Sequence, residues 1–114
     1  LSEWRPPSCV YGKTPDEYDD DYRLWRYKRS QNPDLAYQDG ESLSNLHLRA
    51  IRAVSELRRL AADNGPLLVV SHKVLLGVIA HRHCGPAGAF QRAAAMPWPH
   101  CEIRSLTDHS PEEP

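Results

Sequence analysis

Gly65-Pro66-Leu67-Leu68-Val69-Val70-Ser71-His72 is the stretch on which the fold turns. Its apolar run is short, half of it is β-branched, and it opens behind a Gly-Pro break, which predicts a buried strand rather than a helix. Strands of this kind deliver side chains to a crevice beyond their carboxyl ends, so His72 is predicted at the mouth of one. Immediately upstream, Leu43, Leu46, Ala50, Val54, Leu57 and Ala61 recur at helical spacing, and Ile51, Ala53 and Leu60 widen the stripe. That pattern predicts a long amphipathic helix from Ser42 to Asn64, packed on a sheet, with Ser42 capping its start and Asn64-Gly65 ending it.

Working outward, Lys73 to His83 reads as a second helix, closed by Gly85-Pro86, and Ala87 to Ala95 as a short helical turn. Cys101 to Leu106 alternates and reads as a strand, while Asp108 to Pro114 reads as a frayed tail. On the other side, Pro6, Pro7 and Ser8 obstruct a helix, so Leu1 to Gly12 reads as a strand end running into a loop. Lys13 to Asn32 reads as an irregular helical lid. Its acidic group, Asp16 to Asp21, caps and solvates a helix start, and its aromatics Tyr22, Trp25 and Tyr27 stand among arginines. Asn32-Pro33-Asp34 and Asp39-Gly40 are turn signals. Alternating helices and strands with right-handed crossovers predict an α/β layer architecture.

Composition narrows the function classes. With 114 residues, the chain builds one domain at most. A net charge of -1, from 14 basic and 15 acidic residues, offers no general attraction for nucleic acid or an anionic membrane. Cys9, Cys84 and Cys101 are an odd count without CxxC spacing, so a fully paired disulfide framework within the chain is excluded and a reducing cytoplasm fits. The longest apolar stretch, Pro66 to Ala80, is interrupted by His72 and Lys73 and is too short to span a bilayer. No secretory signal pattern is present, and Leu1-Ser2-Glu3-Trp4 reads like the middle of a protein, so an upstream part is expected.

Four motifs occur in a telling order: Leu1-Ser2-Glu3 with Pro7-Ser8 and Gly12-Lys13, then Gly40-Glu41-Ser42 with Arg49, then Val69-Val70-Ser71-His72, then Pro99-His100-Cys101-Glu102-Ile103. Together they resemble the second half of the histidine phosphatase superfamily, the phosphoglycerate mutase-like fold. The resemblance implies a partial three-layer α/β fold over residues 1–107, a mostly parallel sheet flanked by helices with its first strand or strands missing, and a disordered tail at 108–114. In that family a histidine within an Arg-His-Gly motif takes the phosphoryl group. A second histidine and neighbouring arginines hold its oxygens, and a carboxylic acid protonates the leaving group.

Carried onto this chain, the resemblance implies that His72 is the phosphate-holding histidine and Glu3 the proton donor. Lys73 stands where the family usually has glycine and offers substrate phosphate an extra cation, and Ser42, a helix cap first, can also face an anion. Glu41 is read as part of the same cap, and Arg49 as packing or pairing beneath the sheet edge. The substrate implied is a small phosphorylated molecule, handled without metal or cofactor. No Arg-His-Gly occurs in the sequence, so the chain alone is expected to be inactive. His81-Arg82-His83-Cys84 and His100-Cys101 lack the paired spacing of a zinc site. The lid aromatics are read as a cap over the crevice rather than a platform for bases. The alternative is a non-catalytic interaction domain, in which an unpaired sheet edge supports a homodimer.

Overall fold

In the computed structural model, which describes residues 1–106, four α-helices carry the architecture. They are α1 (Asp20–Lys28), α2 (Leu43–Asn64), α3 (Lys73–Ala80) and α4 (Gly85–Ala95). Short 3-10 turns at Ser8–Val10, Pro15–Glu17 and Arg82–Cys84 complete the order. The tail read at 108–114 lies outside the described residues, as does residue 107.

The expected sheet is absent. Among the described residues there is no strand, so the predicted mostly parallel, three-layer α/β fold gives way to packed helices. Leu67 to Val70 has no regular structure and no pairing, and all but Val69 are exposed, Leu68 at 76% and Val70 at 85%. Cys101 to Leu106 likewise forms no strand, and Ile103 is 78% exposed. Leu1 to Gly12 is irregular apart from its 3-10 turn. The physical reason is common to all three: an extended backbone becomes a strand only when a neighbour takes up its N–H and C=O groups. No described segment does so here.

α2 forms as its stripe requires. The Ser42 hydroxyl accepts the Asn45 amide at 3.1 Å, and Gly65 ends the helix at φ +85°, a conformation glycine adopts without strain. Its buried face, Leu43, Leu46, Ala50 and Val54, meets Leu75, Val78 and Ile79 of α3 and Ala89, Phe90 and Ala93 of α4. The core is therefore a three-helix contact rather than a helix on a sheet. α3 and α4 cross closely because Gly77 has no side chain: a Cβ there would lie 2.6 Å from the Ala93 Cβ. α4 itself is longer than the predicted turn, since Gly85-Pro86 starts it instead of closing α3.

α1 builds a smaller, aromatic cluster. Tyr22 and Trp25 are buried with Val10, their rings stacked at 5.5 Å, and Tyr18 and Tyr37 pack edge-on against Tyr22 at 4.9 and 5.3 Å. The Trp25 indole donates to the Leu35 carbonyl at 2.9 Å, tying α1 to the loop that follows it. Trp4 touches both clusters and joins the lid to the helical core.

Candidate functional site

The site is assembled around the irregular strap Ser2 to Arg5. A helix start leaves its first N–H groups without internal partners. In α3 two of these are satisfied from far away in sequence, because Glu3 accepts Val74 N–H at Oε2 and Leu75 N–H at Oε1, each at 2.8 Å. The Trp4 amide donates to the same carboxylate at 2.9 Å. His72 is the residue that begins this helix, its carbonyl accepting the Leu76 amide at 2.8 Å. Glu3 and His72, 69 residues apart in the chain, thus lie at one helix terminus.

A buried ion pair fixes the strap in place. Arg49 of α2 grips Glu41 in two-pronged fashion, Nε to Oε2 at 2.6 Å and Nη2 to Oε1 at 2.9 Å. The same guanidinium donates to the carbonyls of Ser2 at 2.9 Å and Glu3 at 3.3 Å. Glu41 returns the hold through its backbone, its N–H donating to Arg5 C=O at 2.7 Å and its C=O accepting the Trp4 indole at 3.0 Å. The Glu41 side chain is 3% exposed and that of Arg49 32%. Burial alone would raise the Glu41 pKa; the hydrogen bond and charge of Arg49, with Asn45 and the Arg5 amide, outweigh it and hold the carboxyl below its ordinary value. Arg49 is in turn pushed above its ordinary value, chiefly by its hydrogen bond to Glu41.

This clamp is the part that sequence reasoning understated. In the sequence Arg49 reads as packing or pairing and Glu41 as a cap, and nothing there connects either to Glu3. Their signal was the spacing of eight residues, just over two helical turns, which returns Arg49 to the face on which Glu41 enters. Gly40 completes the contact: a Cβ there would meet Pro7 at 2.8 Å, so the turn before Glu41 can lie against the chain just after the strap.

The remaining candidates fall into two groups. His72 and Lys73 are exposed, and neither side chain has a hydrogen-bond or ion-pair partner among the described residues. Ser42 is not part of that group: its hydroxyl is engaged by Asn45, and among the described residues it has no hydrogen bond to Glu3, His72 or Lys73. Beside the strap lies a shallow cleft of about 460 Å³ lined by Glu3, Trp4, Arg5, Tyr11, Asn45 and Arg49, with Ser2, Pro6 and Glu41 completing the wall.

The histidine and cysteine cluster near α3 does not converge on a metal. His81 is buried with its Nδ1 unpartnered, and its pKa is lowered by burial first and then by Arg92, His83 and Arg104. Among the described residues no three His, Cys, Asp or Glu side chains are grouped as ligands. No described helix is long and apolar enough to cross a membrane.

Glu3 and His72 therefore lie at one helix start, with the Glu41–Arg49 pair holding the strap that carries Glu3. A family model of the histidine phosphatase superfamily, branch 1, matches residues 1–111. The chain belongs to that superfamily. Its members are generally phosphatases and mutases. No curated protein and no solved structure matches the chain.

Proposed function

We propose that this chain supplies the leaving-group half of a histidine phosphatase active site acting on a small phosphomonoester. The observation that supports it is the seating of Glu3 on the first turn of the helix that His72 begins. In this reading His72 donates to an equatorial phosphoryl oxygen, spreading the charge that builds up during transfer. The P–O bond breaks as a P–N bond forms to the nucleophilic histidine, and the leaving oxygen takes its proton from Glu3. Water or an acceptor hydroxyl then cleaves the P–N bond. Val74 and Leu75 amides, held by Glu3 at rest, are donors that an incoming phosphoryl oxygen can take over as Glu3 turns to the leaving group. Lys73, one residue on, adds a cation at the rim; Ser42 is left as a cap.

The nucleophile belongs to an Arg-His-Gly segment that these 114 residues do not contain. The 114-residue chain should therefore show no turnover of p-nitrophenyl phosphate, while inorganic phosphate should shift the His72 ring resonances in nuclear magnetic resonance spectra. Turnover that His72→Ala abolishes would overturn the inactivity, and an unmoved His72 ring would overturn its phosphate-holding role.

A second reading is favoured by the solvent-facing side chains of Leu68, Val70 and Ile103. Exposed apolar surface on extended backbone is an invitation to association. On that reading the chain is an interaction module that meets a second copy of itself through Leu67 to Val70.

A further inference from the structure

A second cleft, of about 450 Å³, opens between α1 and α4 on the other side of Trp4. Arg26, Arg29, Ser30 and Gln91 supply its polar lining, over a floor of Leu43, Phe90 and two alanines of α4. No carboxylate lines it. Arg29 sits among rings, its guanidinium carbon 4.6 Å from the Phe90 centroid, 5.5 Å from Trp25 and 5.9 Å from Trp4. Rings attract the cation but supply no oxygen acceptor for its five N–H donors. Among the described residues none of the Arg29 side-chain donors meets an acceptor, and neither Arg26 nor Arg29 has an ion-pair partner.

That arrangement is costly unless something anionic completes it. A partly buried cation forgoes hydration, and a second cation lining the same cleft adds repulsion. Burial first, and then the charge of Arg26, hold the Arg29 pKa below its ordinary value. The C-terminal end of α1 favours a cation at Arg29, but that partial charge acts on the helix end and provides no acceptor for the guanidinium.

We propose that the Arg26–Arg29 cleft is a second anion site, taking the phosphoryl end of a phosphomonoester whose aromatic or other apolar body lies against the exposed Ala94 and Ala95. Planar guanidinium donors match phosphoryl oxygens, and two cations match a dianion. The site shares no lining residue with the Glu3 cleft, although Trp4, which lines that cleft, packs edge-on against Phe90 at 5.4 Å. It therefore holds whether or not His72 binds phosphate.

The test uses the full 114-residue chain, with phenyl phosphate as the probe and tryptophan fluorescence as the readout, since Trp4 and Trp25 adjoin Arg29. Saturable binding is expected, tighter than for inorganic phosphate or benzoate and absent for phenol. Arg29→Gln and Arg26→Gln should each weaken it about tenfold, and His72→Ala should leave it unchanged. If Arg29→Gln fails to fold, the exposed Arg26 decides. An absent response, equal affinity for benzoate, indifference to both arginine variants, or loss with His72→Ala would each overturn the proposal.

Discussion

Two irregular segments, Ser2 to Arg5 and Pro66 to Ser71, lie outside the helices, and they are held in opposite ways. Backbone groups from Ser2 to Arg5 are tied down by Arg49 and Glu41, and the Glu3 carboxylate by the first turn of α3. The second segment is the more hydrophobic, yet among the described residues its sole hydrogen bond runs from the Ser71 hydroxyl to the Leu1 carbonyl at 3.3 Å. An apolar, β-branched run prefers an extended backbone without choosing its neighbour. A charged pair with two-pronged geometry chooses its neighbours one by one. Specificity at this site comes from the polar strap.

The strongest way to break that contrast is to remove one side of the clamp. Glu41→Gln leaves Arg49 without its counter-charge against the strap, and is expected to cost about 3 kcal/mol, the lower end for a broken buried pair because Arg49 is partly solvated. Urea unfolding monitored by circular dichroism would measure it. The pH dependence should follow. Since the folded-state Glu41 pKa lies below its ordinary 4.5, the clamp's stabilisation is complete above that range and drains away as the pH falls through the lowered value. Glu41→Gln should lack that component of acid sensitivity. A variant as stable and as acid-sensitive as the parent would show that the strap is held by something else.

How far the molecule was legible in its sequence follows from the same contrast. α2 could be read because a long stripe, a serine cap and a terminal glycine all agree. The sheet could not, because Leu67 to Val70 and Cys101 to Leu106 encode extension but not pairing. Gly85-Pro86 is ambiguous in the sequence because proline near a helix start and proline after a helix end look alike locally, and the structure has it starting α4. Glu3 and His72 could be linked only through the family resemblance, since nothing in spacing alone brings together residues 69 positions apart. For Arg29 the sequence signals only the i, i+4 contact with Trp25; Trp4 and Phe90 come from distant stretches of chain.

A smaller effect probes the core on which both segments rest. Gly77→Ala gains helix propensity but drives a methyl into Ala93 where α3 and α4 cross, with an expected net loss of about 2 kcal/mol. Adding Ala93→Gly should return about 1 kcal/mol of coupling in a double-mutant cycle, measured by thermal unfolding. Strict additivity would mean that the helices do not cross there.

The smallest expected change is the sharpest for the second segment. Val70→Asp places a charge where the side chain is already in water, so stability should move by less than about 0.5 kcal/mol. A loss above about 1 kcal/mol would mean that the run is packed after all. Sedimentation equilibrium on the same variant separates the two readings of function. If the chain meets a second copy through Leu67 to Val70, the aspartate should shift the population to monomer while leaving the His72 response to phosphate intact. If the run serves no association, parent and variant should sediment alike, and the exposed apolar surface then has no part in self-recognition. A charge that abolishes the His72 response instead would couple this segment to the helix start it feeds, and the contrast between a held strap and a loose run would fail.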